Sequence, residues 1–427
     1  MPPTQDLVEN QPNIELLAPA GCYPSLHAAI ENGADAVYFG LAQLNMRARA
    51  RRSFGPNDLA EICRITRAAG VKTNMALNTL LYEHDLKLCR SMLEEAAENK
   101  VDAVILSDMA AVTMANEMGL DVHLSTQLSI SNSESIRFYA PYCSRIVLAR
   151  ELSLKMIETV HQQIQALDIR SKSGKLMELE AFAHGALCIA VSGRCSMSLY
   201  TSNASANRGA CEQNCRKEYI VKDVDSGQEL LIDNNLVMSP NDILTIGFLD
   251  QMVNAGIQVF KIEGRGRAPE YVAAVTSAYR RALDAIKDGS FTREFAESMI
   301  PDLEKVYNRG FSSGYYLGQK QGWSQHSGNK ATRRKEMVGR IANFFQKASV
   351  VHVKSSAVDL SVDDEYVIIG TSTGAENGVV GDLFQIDGEV SNKVTTVKKG
   401  NGFTLKHDGA ARRGDYIYRM TPVAAKV

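Results

Sequence analysis

No run of about 18 apolar residues occurs in the 427-residue chain, so no membrane-spanning helix is expected. Net charge is also nearly absent: 47 Lys and Arg stand against 49 Asp and Glu, leaving −2. That balance excludes a globally basic nucleic-acid binder, and any RNA contact must come from a local patch. Met1 to Asn13 is polar and lacks an apolar signal core, from which a cytoplasmic location is expected. There is no H-E-x-x-H string of the zinc proteases, and no serine nucleophile elbow is expected. No G-x-G-x-x-G follows the first apolar run, which ranks a doubly wound dinucleotide fold second. What is present is ordinary globular material, 45% hydrophobic and 22% charged, in a chain long enough for one large domain and a smaller one.

The first two-thirds alternates short apolar runs with amphipathic stretches. The runs are Glu15 to Ala18, Ala36 to Phe39, Val71 to Asn74, Ala103 to Leu106, Val122 to Leu124, Ile146 to Leu148, Leu179 to Phe182 and Val259 to Ile262. Helical stretches such as Pro56 to Ala69 and Asp85 to Asn99 lie between them. Repeated helix stops precede strand starts, as in Asn32-Gly33-Ala34-Asp35 and Asn99-Lys100-Val101-Asp102. Eight such units predict an α/β fold, a (β/α) TIM-type barrel, over residues 1–323. Residues 324–336, with Lys330, Arg333, Arg334 and Lys335, read as a basic linker or exposed arm. Residues 337–427 turn to short β-type runs (Val350 to Val353, Tyr366 to Ile369, Leu383 to Ile386, Val394 to Val397, Tyr416 to Tyr418), predicting a small antiparallel β-barrel domain.

Four of the eight cysteines fall in one window, Cys188, Cys195, Cys211 and Cys215, spaced C-x6-C-x15-C-x3-C. Cys22, Cys63, Cys89 and Cys143 are scattered and read as small buried hydrophobes. Thiolates at this density point to a metal, and the absence of two-residue knuckles favours an iron–sulfur cluster over zinc, which stays open. Arg194, Arg208 and Arg216 alternate with the cysteines and could offset a cluster's negative charge. His184, four residues before Cys188, could move protons, form a thiol–histidine dyad, or simply pack.

Barrel active sites sit at the C-terminal ends of the strands. Asn78, Asp108, His123, Ser125 and Gln127 fall at or near such ends, and Glu263 ends another beside Lys261. Glu263 is a candidate general acid or base with Lys261 tuning it, or else a salt-bridged barrel lining. Arg47, Arg49, Arg51 and Arg52 crowd one loop, and Arg265 and Arg267 follow Glu263. Residues 49–52 and 330–335 are the expected RNA-facing segments, or solvated surface. Tyr200, Tyr315 and Tyr316 could stack an extruded base, or pack.

The stretch Glu180-x-Phe182-x-x-Gly185-Ala186-Leu187-Cys188-x4-Gly193-x-Cys195-x-Met197-Ser198 resembles the signature of the collagenase-like peptidases of unknown catalytic type, family U32. Asn207-Arg208-Gly209-Ala210-Cys211-x3-Cys215-Arg216, Lys261-Ile262-Glu263-Gly264-Arg265 and the opening Glu15-Leu16-Leu17-Ala18-Pro19-Ala20-Gly21 are similar to it as well. The likeness spans roughly residues 14 to 420. It implies a (β/α) barrel with a [4Fe–4S] cluster on Cys188, Cys195, Cys211 and Cys215. It further implies prephenate-dependent hydroxylation, of a tRNA wobble uridine to 5-hydroxyuridine, of a cytidine in 23S ribosomal RNA, or of a ubiquinone precursor in different branches. Length and the C-terminal β domain make the tRNA branch the most similar, so tRNA is the expected partner. Prephenate is a dicarboxylate, and Arg47, Arg49, Arg265 and Arg267 are its candidate anchors, with Asn78, His123 and Gln127 as further substrate contacts. A collagenase-like peptidase is the alternative.

Overall fold

The computed structural model describes residues 14–48, 53–219, 224–226, 238–325, 328–388 and 390–423. Ten strands lie in the first part: β1 (Glu15–Pro19), β2 (Ala36–Phe39), β3 (Lys72–Leu77), β4 (Ala103–Leu106), β5 (Val122–Leu124), β6 (Arg145–Val147), β7 (Glu178–Ala186), β8 (Asp242–Leu244), β9 (Val259–Ile262) and β10 (Phe311–Ser312). Its principal helices are α1 (Tyr23–Glu31), α2 (Leu59–Ala68), α3 (Leu86–Glu98), α4 (Met109–Glu117), α5 (Ser133–Tyr139), α6 (Leu154–Ala166), α7 (Met197–Ser202), α8 (Leu249–Asn254) and α9 (Pro269–Lys287).

Strands β1 to β7 pair in parallel in chain order, and β9 pairs in parallel with both β7 and β1. This last strand closes an eight-stranded TIM-type barrel and eliminates the open doubly wound alternative. The eight apolar runs of the sequence are its eight strands. Helices cover it with one stripe each: α2 buries Leu59, Ile62, Cys63 and Thr66, and α3 buries Cys89, Met92, Leu93 and Ala96, both at i, i+3, i+4, i+7 spacing. At the end of α1, Gly33 takes φ +88° before β2, a left-handed stop that costs glycine no strain.

Two short strands went unread in the sequence. β8 runs antiparallel to β7 and β10 pairs with β8, forming a flap outside the closed barrel.

The remaining strands are β11 (Arg333–Phe345), β12 (Val350–Val353), β13 (Leu360–Ser361), β14 (Glu365–Gly370), β15 (Gly374–Val379), β16 (Leu383–Asp387), β17 (Val390–Lys393), β18 (Thr396–Val397), β19 (Gly402–Lys406) and β20 (Tyr416–Pro422). Eight of them form one antiparallel sheet, and β13 pairs separately with β18. The sheet curls around a core of Val338, Ile341, Val351, Val353, Tyr366, Ile368, Phe403, Leu405 and Ile417. Irregular register at two places in β11 lets that long strand serve both halves. β11 begins at Arg333, inside the segment expected as linker. Its charges disguised it: Arg333 pairs with Glu365, Arg334 with Glu336 and Lys335 with Glu270 of α9. These three cations are therefore engaged within the fold rather than held out on a free arm. The predicted strand Val394 to Val397 shrinks to β18.

The inside of the barrel is unusual for its charge. An apolar layer of Leu17, Ala36, Tyr38, Ala76, Ile105 and Val259 coexists with a chain of ion pairs. Lys72 reaches Glu15 at 2.8 Å, Glu15 reaches Arg145 at 2.7 Å, Arg145 lies 3.7 Å from Glu180, and Glu180 bonds Lys261 at 2.6 Å. Buried charges persist only when paired in this way.

Candidate functional site

A cavity of about 500 Å³ opens at the C-terminal ends of the barrel strands. Tyr38 (β2), Ala76 (β3), Ile105 (β4), Val147 (β6), Phe182 (β7) and Lys261 (β9) form its floor. The loop after β7 and the segment around α7 form a wall.

That wall carries Cys188, Cys195, Cys211 and Cys215, all lining the same cavity and all free thiols. Cys188 follows β7 by two residues, Cys195 precedes α7, and Cys215 sits in the 3₁₀ turn Asn214–Arg216. Cys211 lies two residues after Gly209, whose φ of +85° packs the chain against the Asn45 carbonyl so closely that a Cβ would clash with it. Burial pushes the Cys215 thiol up, Arg216 opposes this, and the charges of Cys188, Cys211 and Cys195 add to it. Among the described residues, no three His, Cys, Asp or Glu stand close enough to ligate a single ion.

Two arginines of the wall have structural duties. Arg216 donates to the carbonyls of Leu187 (2.6 Å) and Pro240 and to Ser239 Oγ (2.9 Å), stapling the ends of the segment. Arg208 turns away to Asp85 and lies 3.9 Å over the Tyr82 ring. The cavity is also cationic: Arg47, Arg150, Arg216, Arg265, Arg267 and Arg309 line it with Lys261, against a single carboxylate among the described residues, Glu263.

Glu263 is held hard. Its Oε1 accepts from Arg47 at 2.6 Å and its Oε2 from the Tyr38 hydroxyl at 3.3 Å. Burial alone would raise its pKa, but Arg47, Arg150 and Arg265 pull it down to about 2. The expected pairing of Lys261 with Glu263 does not form. Lys261 bonds Glu180 instead, because both are buried on neighbouring strands and each needs the other's charge.

His184 lies outside the cavity, packed among Tyr271, Tyr279 and Phe311. Burial, reinforced by Arg267, lowers its pKa to about 3, so it is a neutral packing ring. His123 is buried in the barrel below the floor, its Nε2 3.6 Å from Asp121, and does not line the cavity. Asn78 and Gln127 do line it. Asn78 donates to Ser125 Oγ at 3.3 Å, and Gln127 Oε1 is buried without a partner. Asp108 caps α4 through the Ala110 N–H. Arg267 stacks 3.5 Å over the Tyr307 ring. Arg265 donates to Asn45 Oδ1 at 3.1 Å while its Nε is buried and unpartnered. Tyr316 is buried, donating to the Phe182 carbonyl, whereas Tyr200 is 93% exposed. Arg49, Arg51 and Arg52 lie outside the described residues.

Sequence reading passed over Arg150, Arg309 and Tyr38. Arg150 lies 4.0 Å over the Phe182 ring, with its Nε buried and unpartnered. Its position three residues beyond β6, on the catalytic face of a barrel, was the available signal. Two strings do have G-x-S-x-G spacing, Gly310 to Gly314 and Gly370 to Gly374. The first spans β10 and the second is the turn between β14 and β15, so neither is a strand-to-helix elbow and neither lines the cavity.

Residues 21–326 match the model of peptidase family U32. The chain belongs to that family. It is 44% identical over 415 residues to a collagenase of Porphyromonas gingivalis, covering 96% of this chain and 99% of that one. It is 31% identical to the tRNA hydroxylation protein P1 of Bacillus subtilis, covering 79% of each. It is 34% identical to the 23S rRNA 5-hydroxycytidine C2501 synthase of Escherichia coli, covering 72% of this chain and 46% of that longer protein. U32 members thus carry both peptidase and hydroxylation names. Among the described residues no helix is long and apolar enough to cross a membrane.

Proposed function

We propose that this U32 protein hydroxylates C5 of a wobble uridine in tRNA in the cytoplasm, using prephenate and a [4Fe–4S] cluster. The observation that carries the reading is a single cavity lined by four free thiols and six arginines. The names of the tRNA and rRNA relatives support the reaction class.

The donor set fits a cluster. Four thiolates that each take a separate iron need only surround a common centre, whereas ligands of one zinc must crowd to about 3.8 Å from each other, given Zn–S bonds of 2.3 Å. Cys188, Cys195, Cys211 and Cys215 would hold it. When bound, the cluster supplies one-electron chemistry beside the substrate.

The chain's own groups bind and orient. Arg150 and Arg265 present unpartnered N–H edges to carboxylates. Gln127 and Asn78 present amides suited to a pyrimidine edge. Glu263, fixed as an anion by Arg47, shapes the cationic field rather than shuttling protons near neutrality. An extruded uridine enters from the mouth, as base-modifying enzymes require. Mass spectrometry of tRNA from a deletion strain tests this. Loss of 5-hydroxyuridine derivatives is expected, and an unchanged modification level overturns it. A change confined to ribosomal RNA or to ubiquinone would move the same chemistry to another substrate.

A peptidase is favoured by the name of the Porphyromonas relative. Against it, among the described residues no histidine lines the cavity to activate a thiol, and its one carboxylate is already paired. Gelatin cleavage that survives iron removal but not a Cys188→Ala change would support it.

A further inference from the structure

Lys261 is used by nothing so far except its ion pair, yet it lines the cavity. It is only 4% exposed. Among the described residues its ammonium makes one hydrogen bond, to Glu180 Oε1 at 2.6 Å. The Tyr38 ring lies 4.5 Å from Nζ and the Phe182 ring 5.6 Å from it. Beyond these rings stand two guanidiniums, Arg150 over Phe182 at 4.0 Å and Arg265 beside Tyr38 at 5.7 Å, each with a buried N–H lacking a partner.

We propose that Lys261 is an imine-forming amine whose Nζ condenses with the carbonyl of a 2-oxo acid, the acid's carboxylate being held by Arg150 or Arg265 and Glu180 serving as the proton acceptor. A lysine desolvated between apolar walls at the end of a barrel strand is the usual setting for this chemistry. Burial lowers the pKa of Lys261, Glu180 and Glu263 oppose the shift, and Arg265 adds to it. The net direction favours the neutral amine that attack requires. Glu180 is placed to take the proton, since its Oε1 already touches Nζ, while its Oε2 makes no hydrogen bond and lies 3.7 Å from the Arg145 guanidinium.

The step balances without a redox partner. The ammonium passes one proton to Glu180, and the nitrogen lone pair adds to the carbonyl carbon. The carbonyl oxygen leaves as water, taking back the proton from Glu180 and a second proton from nitrogen. Ammonium plus ketone becomes iminium plus water. The proton transfer neutralises the pair in passing, and the iminium restores the positive charge opposite the Glu180 carboxylate. The iminium then draws electrons from the adjacent carbon. This inference rests on the cavity alone. It deepens the proposed function, since prephenate is itself a 2-oxo acid, and it stands if the RNA reading falls.

The test uses the full-length protein, pyruvate as probe and cyanoborohydride as trap, with no RNA present. An intact-mass gain of about 72 Da, the mass of pyruvate plus two hydrogens less water, is expected on the peptide carrying Lys261. Lys261→Arg keeps the charge beside Glu180 and should lose that label. Glu180→Gln should slow labelling of Lys261 at least tenfold. If either variant fails to fold, peptide mapping of the native protein still decides. Label on Lys261 well ahead of the surface lysines supports the proposal; no label, or label on surface lysines alone, overturns it.

Discussion

Arg47 Nη2 and Glu263 Oε1 meet at 2.6 Å across the cavity, tying the loop after β2 to the end of β9. Glu263 has a folded pKa of about 2 against an ordinary value of 4.5. Its contribution to stability is therefore present above pH 4.5 and is lost as pH falls toward 2. Arg47→Ala should cost about 1–2 kcal/mol at neutral pH, less than for a fully buried pair because Arg47 is partly solvated. The acid-side loss between pH 4.5 and 2 should also become shallower. Urea unfolding at a series of pH values measures both, and an unchanged acid limb would contradict the assigned pairing.

His184 gives a different pH window. Its folded pKa is about 3 and its ordinary value 6.5, so the unfolded chain takes up a proton that the folded one refuses. Stability is retained above 6.5 and falls below it, by up to about 1.4 kcal/mol per pH unit from this group. His184→Leu should flatten the slope between pH 6.5 and 5. The same unfolding series reads this directly.

Each of the four wall thiols should be needed for iron. Single Cys→Ser changes at 188, 195, 211 and 215 are expected to abolish the brown colour and lower iron and sulfide content after anaerobic purification. Cys63→Ala, Cys89→Ala and Cys143→Ala alter buried packing cysteines and should keep the cluster. Zinc at one per chain, without iron, would refute the cluster assignment.

Gly185 has φ +100°, and a Cβ there would lie 2.5 Å from the Glu263 carbonyl oxygen and 2.8 Å from the Tyr271 hydroxyl. Gly185→Ala should destabilise by about 1–3 kcal/mol and displace Glu263. Hydroxylation should fall further than the loss of folded protein explains. Equal losses of both would mean that the glycine matters only for folding.

The barrel was legible because its strands are buried on both faces and so appear as continuous apolar runs, from Leu16 to Ile262. β11 was not, because Arg333, Arg334 and Lys335 find their counter-charges at Glu365, Glu336 and Glu270, and only Glu336 is a close neighbour in sequence. The clustering of thiols was visible as spacing. The partner of Lys261 was not, since Glu180 lies 81 residues away and only the closed barrel makes them neighbours. His184 stood out next to the cysteines, but alternation along β7 turns it toward Tyr271 and Tyr279, away from them.

The C-terminal sheet is not a pendant module. Val367 of β14 and Ala375 of β15 belong to the same apolar core as the barrel helices, and Gly374 packs against the backbone of Ala28 in α1. Helices α1 and α9 flank the seam where β9 meets β1, so the sheet acts as a buckle over the joint that shuts the cylinder. A chain cut before Arg333 would leave that joint bare and greasy.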